Sequence, residues 1–130
     1  MTRTLIAATA GAALVLGAAS LFLLVLIPGQ VKAAECRQMK VSYYCCEHHG
    51  RKTASGAKFD QNALTAAMPN RSYLGQVWKV YYGKKSVKVK ITDTGGFAKY
   101  GRGMDLSRAA FAKLAPVAKG VIPVMACRVG

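Results

Sequence analysis

The sequence predicts an all-β fold, a small β-barrel with one or two short helices, behind an apolar leader. Several short segments alternate apolar and polar residues, as strands with one buried face do. Only one short stretch has helical spacing, and the 130 residues contain no internal repeat. Many short strands without a long helix favour a barrel.

The leader is long enough to cross a membrane. Residues 5–27 carry no charge, and only Arg3 lies before them. As a helix this segment would span about 35 Å, which exceeds a bilayer core. Val31 and Ala33 fit cleavage after Ala33. The leader is therefore a signal peptide or an uncleaved membrane tether, and both export the remainder to the periplasm or the cell exterior.

Composition divides the chain into three segments. We interpret residues 1–33 as the signal peptide or anchor, 34–40 as a linker and 41–130 as one domain with one core. Removing Arg3 and Lys32 with the leader leaves 17 basic and 5 acidic residues, a net charge of +12. Such a charge attracts polyanions. Outside the membrane the candidate polyanions are cell-wall polymers, lipopolysaccharide and anionic lipid head groups, and a surface that is only solvated is an equally good interpretation. The sequence has no recognisable nucleic-acid module, so we expect no nucleic acid as partner, and we expect a monomer.

The first half of the domain contains one clear strand. Residues 41–44 read as a strand, and residues 45–57 are rich in turn formers and predict a loop. The apolar segment 62–67 is short, so a brief helix and a strand both remain open.

The second half predicts a hairpin, a helix and a last strand. Residues 77–82 and 86–91 alternate, and the intervening Gly83 suits a hairpin turn. Asp105 is a favoured helix N-cap and opens a helix over residues 105–114, which Pro116 ends. A final strand over residues 121–129 follows.

Four cysteines predict two disulfides in an exported domain. A bond between adjacent Cys45 and Cys46 is rare, so we expect one of them to pair with Cys127 and the other with Cys36. Zinc ligands come as spaced pairs, and the consecutive run from Cys45 to His49 cannot easily wrap one ion. We expect no metal and no cofactor.

Two carboxylates stand out in this basic domain. Asp93 follows the strand 86–91, directly before Gly95-Gly96, and Asp105 begins the predicted helix. Two interpretations remain open. In the first, Asp93 is only a turn residue and Asp105 only a helix cap; in the second, the two residues form a pair of acids at one end of the fold.

Four motifs stand out in the domain: VSYY, HGRKTASG, ALTAA and DLSRAA, at positions 41–44, 49–56, 63–67 and 105–110. Together they resemble a known family, the rare lipoprotein A (RlpA-like) double-psi β-barrels. A second resemblance, to the three-aspartate barrel of membrane-bound lytic transglycosylase A, rests on DTGG, GR and DL at positions 93–96, 101–102 and 105–106. The resemblance implies a six-stranded double-psi barrel with a shallow groove that accepts peptidoglycan glycan strands.

The resemblance also implies an activity, lytic transglycosylation of these strands. Asp105 matches the acid/base, which protonates the leaving oxygen and then takes a proton from the attacking C6 hydroxyl. Asp93 matches the neighbour that tunes or orients it. The expected substrate-binding residues are Thr65, Phe97, Tyr100, Ser107 and His49.

The chain departs from these patterns at several positions. Ala57 stands where many relatives carry Glu, and Met68 where they carry Asp or His. The interval from Asp93 to Asp105 is one residue longer than usual. These departures leave an alternative, a non-catalytic, expansin-like module that binds or loosens the wall, and a weaker one, a membrane-tethered partner of another protein.

Overall fold

The computed structural model describes residues 35–130, which form a closed barrel of six strands. Around the barrel the strands follow the order β1-β5-β2-β4-β3-β6, with parallel β1/β5 and β2/β4 pairs and antiparallel pairs elsewhere. The elements are β1 (Cys36–Tyr44), β2 (Thr65–Met68), β3 (Val77–Tyr82), β4 (Lys85–Thr94), β5 (Arg102–Ser107), α1 (Arg108–Ala112) and β6 (Ile122–Arg128). The predicted six-stranded barrel is confirmed.

The barrel interior is filled by the apolar faces of alternating strands. In β4, Val87, Val89 and Ile91 are buried while Lys88 and Lys90 are exposed, as the period of two requires. The largest fully buried side chains are Trp78 and Phe111. Because residues on one side of each strand are committed to this core, polar residues on the other side are free to build a site.

The predicted helix over residues 105–114 is wrong at its start. Asp105 lies within β5, and α1 begins at Arg108 with Ser107 as its N-cap. The backbone of Asp105 pairs with Ser42 of β1 on one side and with Ala67 of β2 on the other. These long-range pairings override the local signal for a cap, and β5 is needed to close the barrel.

The proposed linker over residues 34–40 is largely strand. Residues 36–40 belong to β1 and pair antiparallel with β6, Cys36 opposite Cys127. The predicted signal peptide or anchor, including its apolar segment 5–27, lies outside the described residues. Between residues 35 and 130, no helix has both the length and the apolar character needed to cross a membrane.

The disulfide pairing differs from the prediction. Cys36 bonds to Cys127, 91 positions away, and Cys45 bonds to its neighbour Cys46. Because β1 extends back to Cys36, that residue lies beside Cys127 with the Cα atoms 4.0 Å apart. Cys45 and Cys46 are then left to pair with each other.

Candidate active site

Asp93 and Asp105 lie on either side of Ala67. Ala67 of β2 is directly opposite Asp93 of β4 and directly opposite Asp105 of β5. Directly paired residues project from the same face of a sheet, so both carboxylates share the face of Ala67. Two strand spacings separate their Cα atoms by about 10 Å. The Ala67 methyl group leaves the space between them open.

A β-bulge turns Asp93 out of the barrel. The alternation of Val87, Val89 and Ile91 would place Asp93 on the inner face. Ile91 pairs with Ala66, but Asp93 pairs with the next residue of β2, so Thr92 is the extra residue of a bulge. The bulge shifts the alternation by one and brings Asp93 to the outer face, beside the site.

A second bulge does the same for Arg102. Lys40 and Val41 are consecutive in β1, but their partners in β5 are Arg102 and Met104, which leaves Gly103 unpaired. Arg102 and Asp105 therefore share the outer face, with Arg102 Nη1 3.9 Å from Asp105 Oδ1. A side chain at Gly103 would meet Met39 Sδ at 2.8 Å, so glycine suits this crowded bulge.

The two carboxylates line one cavity of about 190 Å³. Its walls come from the end of β1, the turn that follows it, and the turn after β4. The lining residues are Tyr44, His48, Ala67, Asp93, Thr94, Gly95, Phe97 and Asp105.

Burial raises the pKa of Asp105, whose side chain is only 16% exposed. The hydrogen bond that Ser42 Oγ donates to Asp105 Oδ1 at 2.7 Å lowers this pKa, as do the charges of Arg102 and His48, but burial outweighs them. Arg102 Nη1 also donates to Ser42 Oγ and fixes the hydroxyl in place. Asp105 is thus held in position while burial extends to higher pH the range in which its carboxyl group is protonated.

Asp93 is fixed by the backbone. Its Oδ1 accepts hydrogen bonds from the N–H groups of Ala54 and Thr94, both at 2.9 Å. These bonds tie the turn around Ala54 to the end of β4 and orient the carboxylate.

The Tyr44 hydroxyl is buried at the same cavity. Burial raises its pKa, and the negative charges of Asp93 and Asp105 raise it further, so the phenol stays protonated. Within residues 35–130 this hydroxyl makes no hydrogen bond of normal geometry. Its ring stacks on Phe59 with centroids 4.2 Å apart. Tyr44 therefore forms a rigid wall of the cavity, with its hydroxyl buried close to Asp93.

The structure brings only some of the predicted substrate-binding residues to the cavity. Phe97 lines it and is 6% exposed. Tyr100 is 69% exposed and lies outside, near Arg102. His49 is also outside, 3.9 Å from Asp60, and its neighbour His48 lines the cavity instead.

Two other predicted contacts lie away from the cavity. Ser107 is fully buried, donates to Ala63 O at 2.6 Å and accepts from Ala110 N at 3.2 Å, so it caps α1 and is out of reach of a substrate. Thr65 does not line the cavity either, and its hydroxyl is buried.

Four residues at the site are not among the predicted catalytic or substrate-binding residues: Ser42, Tyr44, His48 and Arg102. Ser42 and Tyr44 lie in the predicted strand 41–44, at alternating positions. Their proximity to Asp105 depends on the parallel β1/β5 pairing, which joins residues about 60 positions apart and leaves no local signal. Between residues 35 and 130, no group of three or more His, Cys, Asp or Glu side chains could hold a metal ion.

Comparisons with known proteins give the family. A family model described as lytic transglycolase matches residues 37–126. The probable endolytic peptidoglycan transglycosylase RlpA of Aquifex aeolicus is 42% identical over 85 residues, 63% of this chain and 36% of that protein. The endolytic peptidoglycan transglycosylase RlpA of Campylobacter jejuni is 33% identical over 99 residues, 75% of this chain and 35% of that protein. The chain thus spans about a third of the length of these relatives.

Solved structures share the fold. A Streptomyces papain inhibitor superposes with a TM-score of 0.64 at 24% identity, over 78% of this chain and all of that one. A Clavibacter michiganensis expansin in complex with cellohexaose has a TM-score of 0.61 at 18% identity, over 74% of this chain and 51% of that one. From its family match and its six-stranded barrel, the chain belongs to the lytic transglycolase family, as an RlpA-like double-psi β-barrel.

Proposed function

We propose that this protein is an exported lytic transglycosylase that cleaves peptidoglycan glycan strands, with Asp105 as the acid/base. The carrying observation is that Asp105, whose pKa is raised by burial, lines one cavity opposite Asp93. The family match and the names of the RlpA relatives support the choice of substrate and reaction.

In this mechanism one carboxyl group performs both proton transfers. Protonated Asp105 gives its proton to the glycosidic oxygen as the bond from that oxygen to the muramic C1 breaks. The muramic C6 hydroxyl attacks C1, and its proton passes to the Asp105 carboxylate, which restores the acid and leaves a 1,6-anhydro end. Asp93, across Ala67, stabilises the positive charge that develops at C1.

The test is product analysis on peptide-free glycan strands. The purified protein is incubated with these strands, and mass spectrometry identifies the new ends. We expect 1,6-anhydromuramic ends. A folded protein that pellets with insoluble peptidoglycan but leaves the peptide-free strands uncut would instead favour the wall-binding, expansin-like module.

We expect the activity to fall as pH rises above the pKa of Asp105, because only the protonated carboxyl can act as the acid. Ser42 lowers this pKa, so Ser42→Ala should raise it and move the alkaline limb of the kcat/KM profile to higher pH. Ser86→Ala, at an exposed serine of β4, is the control and should leave the profile unchanged. A limb that stays in place or moves to lower pH in Ser42→Ala would contradict this assignment.

Ala67→Val is expected to lower the cleavage rate by about 10²-fold, because the added methyl groups fill the space between the carboxylates and displace the sugar. Ala67 is only 4% exposed, so the added methyl groups should also lower the stability by about 1 to 3 kcal/mol, and the rates are compared at a temperature at which the variant is fully folded. The exposed Ala118→Val is the control. Wild-type rates in a folded Ala67→Val protein would show that the sugar does not bind between Asp93 and Asp105.

A further inference from the structure

A larger cleft of about 560 Å³ adjoins the candidate active site. Thr92 lines the cleft and the next residue, Asp93, lines the cavity. Ala54 also lines the cleft, and its N–H donates to Asp93 Oδ1. The cleft and the cavity therefore lie next to each other, on neighbouring residues of β4.

The walls of the cleft are held by hydrogen bonds to β4. On one side, Ser55 N donates to Thr92 O at 3.0 Å, and Thr53 Oγ1 closes its turn by donating to Ala57 O at 2.7 Å. On the other side, Gly75 N donates to Ile91 O at 2.8 Å. Both walls thus have fixed positions relative to the end of β4 that carries Asp93.

The chemistry of the cleft is cationic. Arg71 and Lys90 contribute its charges, Ser55 and Thr92 add hydroxyl groups, and no lining residue is acidic. The arginine and lysine side chains that form ion pairs within residues 35–130 are others, namely Arg37 and Arg102. Arg71 and Lys90 are both exposed and so available to a ligand.

We propose that this cleft is a subsite for a carboxylate carried by the glycan strand, bound by Arg71 and Lys90. The choice of ligand rests on the proposed function, because muramic acid residues carry the acidic groups of such strands. Two sources share this chemistry: the lactyl carboxylate of a peptide-free muramic residue and the carboxylates of an attached stem peptide. A guanidinium and an ammonium group beside two hydroxyls suit either one.

The experiment measures binding in the Asp105→Asn background, so that the probe stays intact and the result does not depend on cleavage. Calorimetry gives Kd for three oligosaccharides: peptide-free, peptide-bearing, and peptide-free with the lactyl carboxyl groups reduced to alcohols. The test variant is Arg71→Gln with Lys90→Gln, which removes both charges from the cleft. Lys85→Gln with Lys88→Gln removes two exposed charges from the same strand as the control.

We expect Arg71→Gln/Lys90→Gln to weaken binding of a carboxylate-bearing probe by about tenfold or more and to leave the Kd of the reduced probe unchanged. The control should change Kd less. Loss confined to the peptide-free probe identifies the lactyl carboxylate, and loss confined to the peptide-bearing probe identifies the stem peptide. Equal weakening of the reduced probe, an equal effect of the control, or no effect would overturn the subsite. If the wild-type protein shows this carboxylate-dependent binding but does not cut the strands, the proposed function is refuted and the subsite stands.

Discussion

Asp105→Asn is expected to lower the rate of glycan-strand cleavage by about 10² to 10⁴-fold. The amide can neither protonate the glycosidic oxygen nor take a proton from the C6 hydroxyl. It retains an oxygen that can accept the Ser42 hydrogen bond, so the geometry of the site should persist. The measurement is the initial rate of 1,6-anhydromuramic product formation at saturating strand concentration.

Asp60→Asn is the matched control for this variant. Asp60 is 58% exposed and lies 3.9 Å from His49, outside the cavity, so the same chemical change there should leave the rate unchanged.

The stability of the Asp105→Asn variant provides a second readout. Burial raises the pKa of Asp105 in the folded state, so the wild type loses stability as pH rises through that pKa. Asp105→Asn avoids this loss and should unfold at an equal or higher temperature at pH 7. A folded Asp105→Asn protein that still cuts would exclude Asp105 as the acid/base.

The strands of the barrel were predictable where local pattern and tertiary packing agree. The alternation of Val87, Val89 and Ile91 predicts β4 because the same residues fill the core. That alternation alone would bury Asp93. The bulge at Thr92, which exposes it, depends on the pairing of β4 with β2, a strand more than twenty positions earlier. The sequence thus identified the carboxylate, but the reason it reaches the site is a feature of the sheet.

The errors elsewhere have a similar cause. Asp105 and Ser107 are both favoured helix caps, and the pattern could not tell which one begins the helix; pairing of β5 on both edges decides for Ser107. Likewise, His49 is the predicted contact, but the conformation of the turn after β1 places its neighbour His48 at the cavity. Each of these choices is made by contacts between distant segments, which a single sequence does not display.

Cys36→Ser combined with Cys127→Ser is expected to lower the free energy of unfolding by about 4 to 5 kcal/mol. This disulfide joins residues 91 positions apart, nearly the ends of the described barrel, so its loss frees almost the whole unfolded chain. The folded state should remain closed, because β1 and β6 keep their backbone pairing. The measurement is urea unfolding with the midpoint and slope fitted for each protein.

Cys45→Ser combined with Cys46→Ser provides the comparison. It also removes one disulfide, but that bond links adjacent residues and restricts the unfolded chain very little. If loop length governs the effect, this variant should lose much less stability than the Cys36/Cys127 variant, although the two changes are chemically the same. Equal losses would mean that native contacts of the sulfur atoms, rather than the entropy of the unfolded chain, carry the contribution of the Cys36–Cys127 bond.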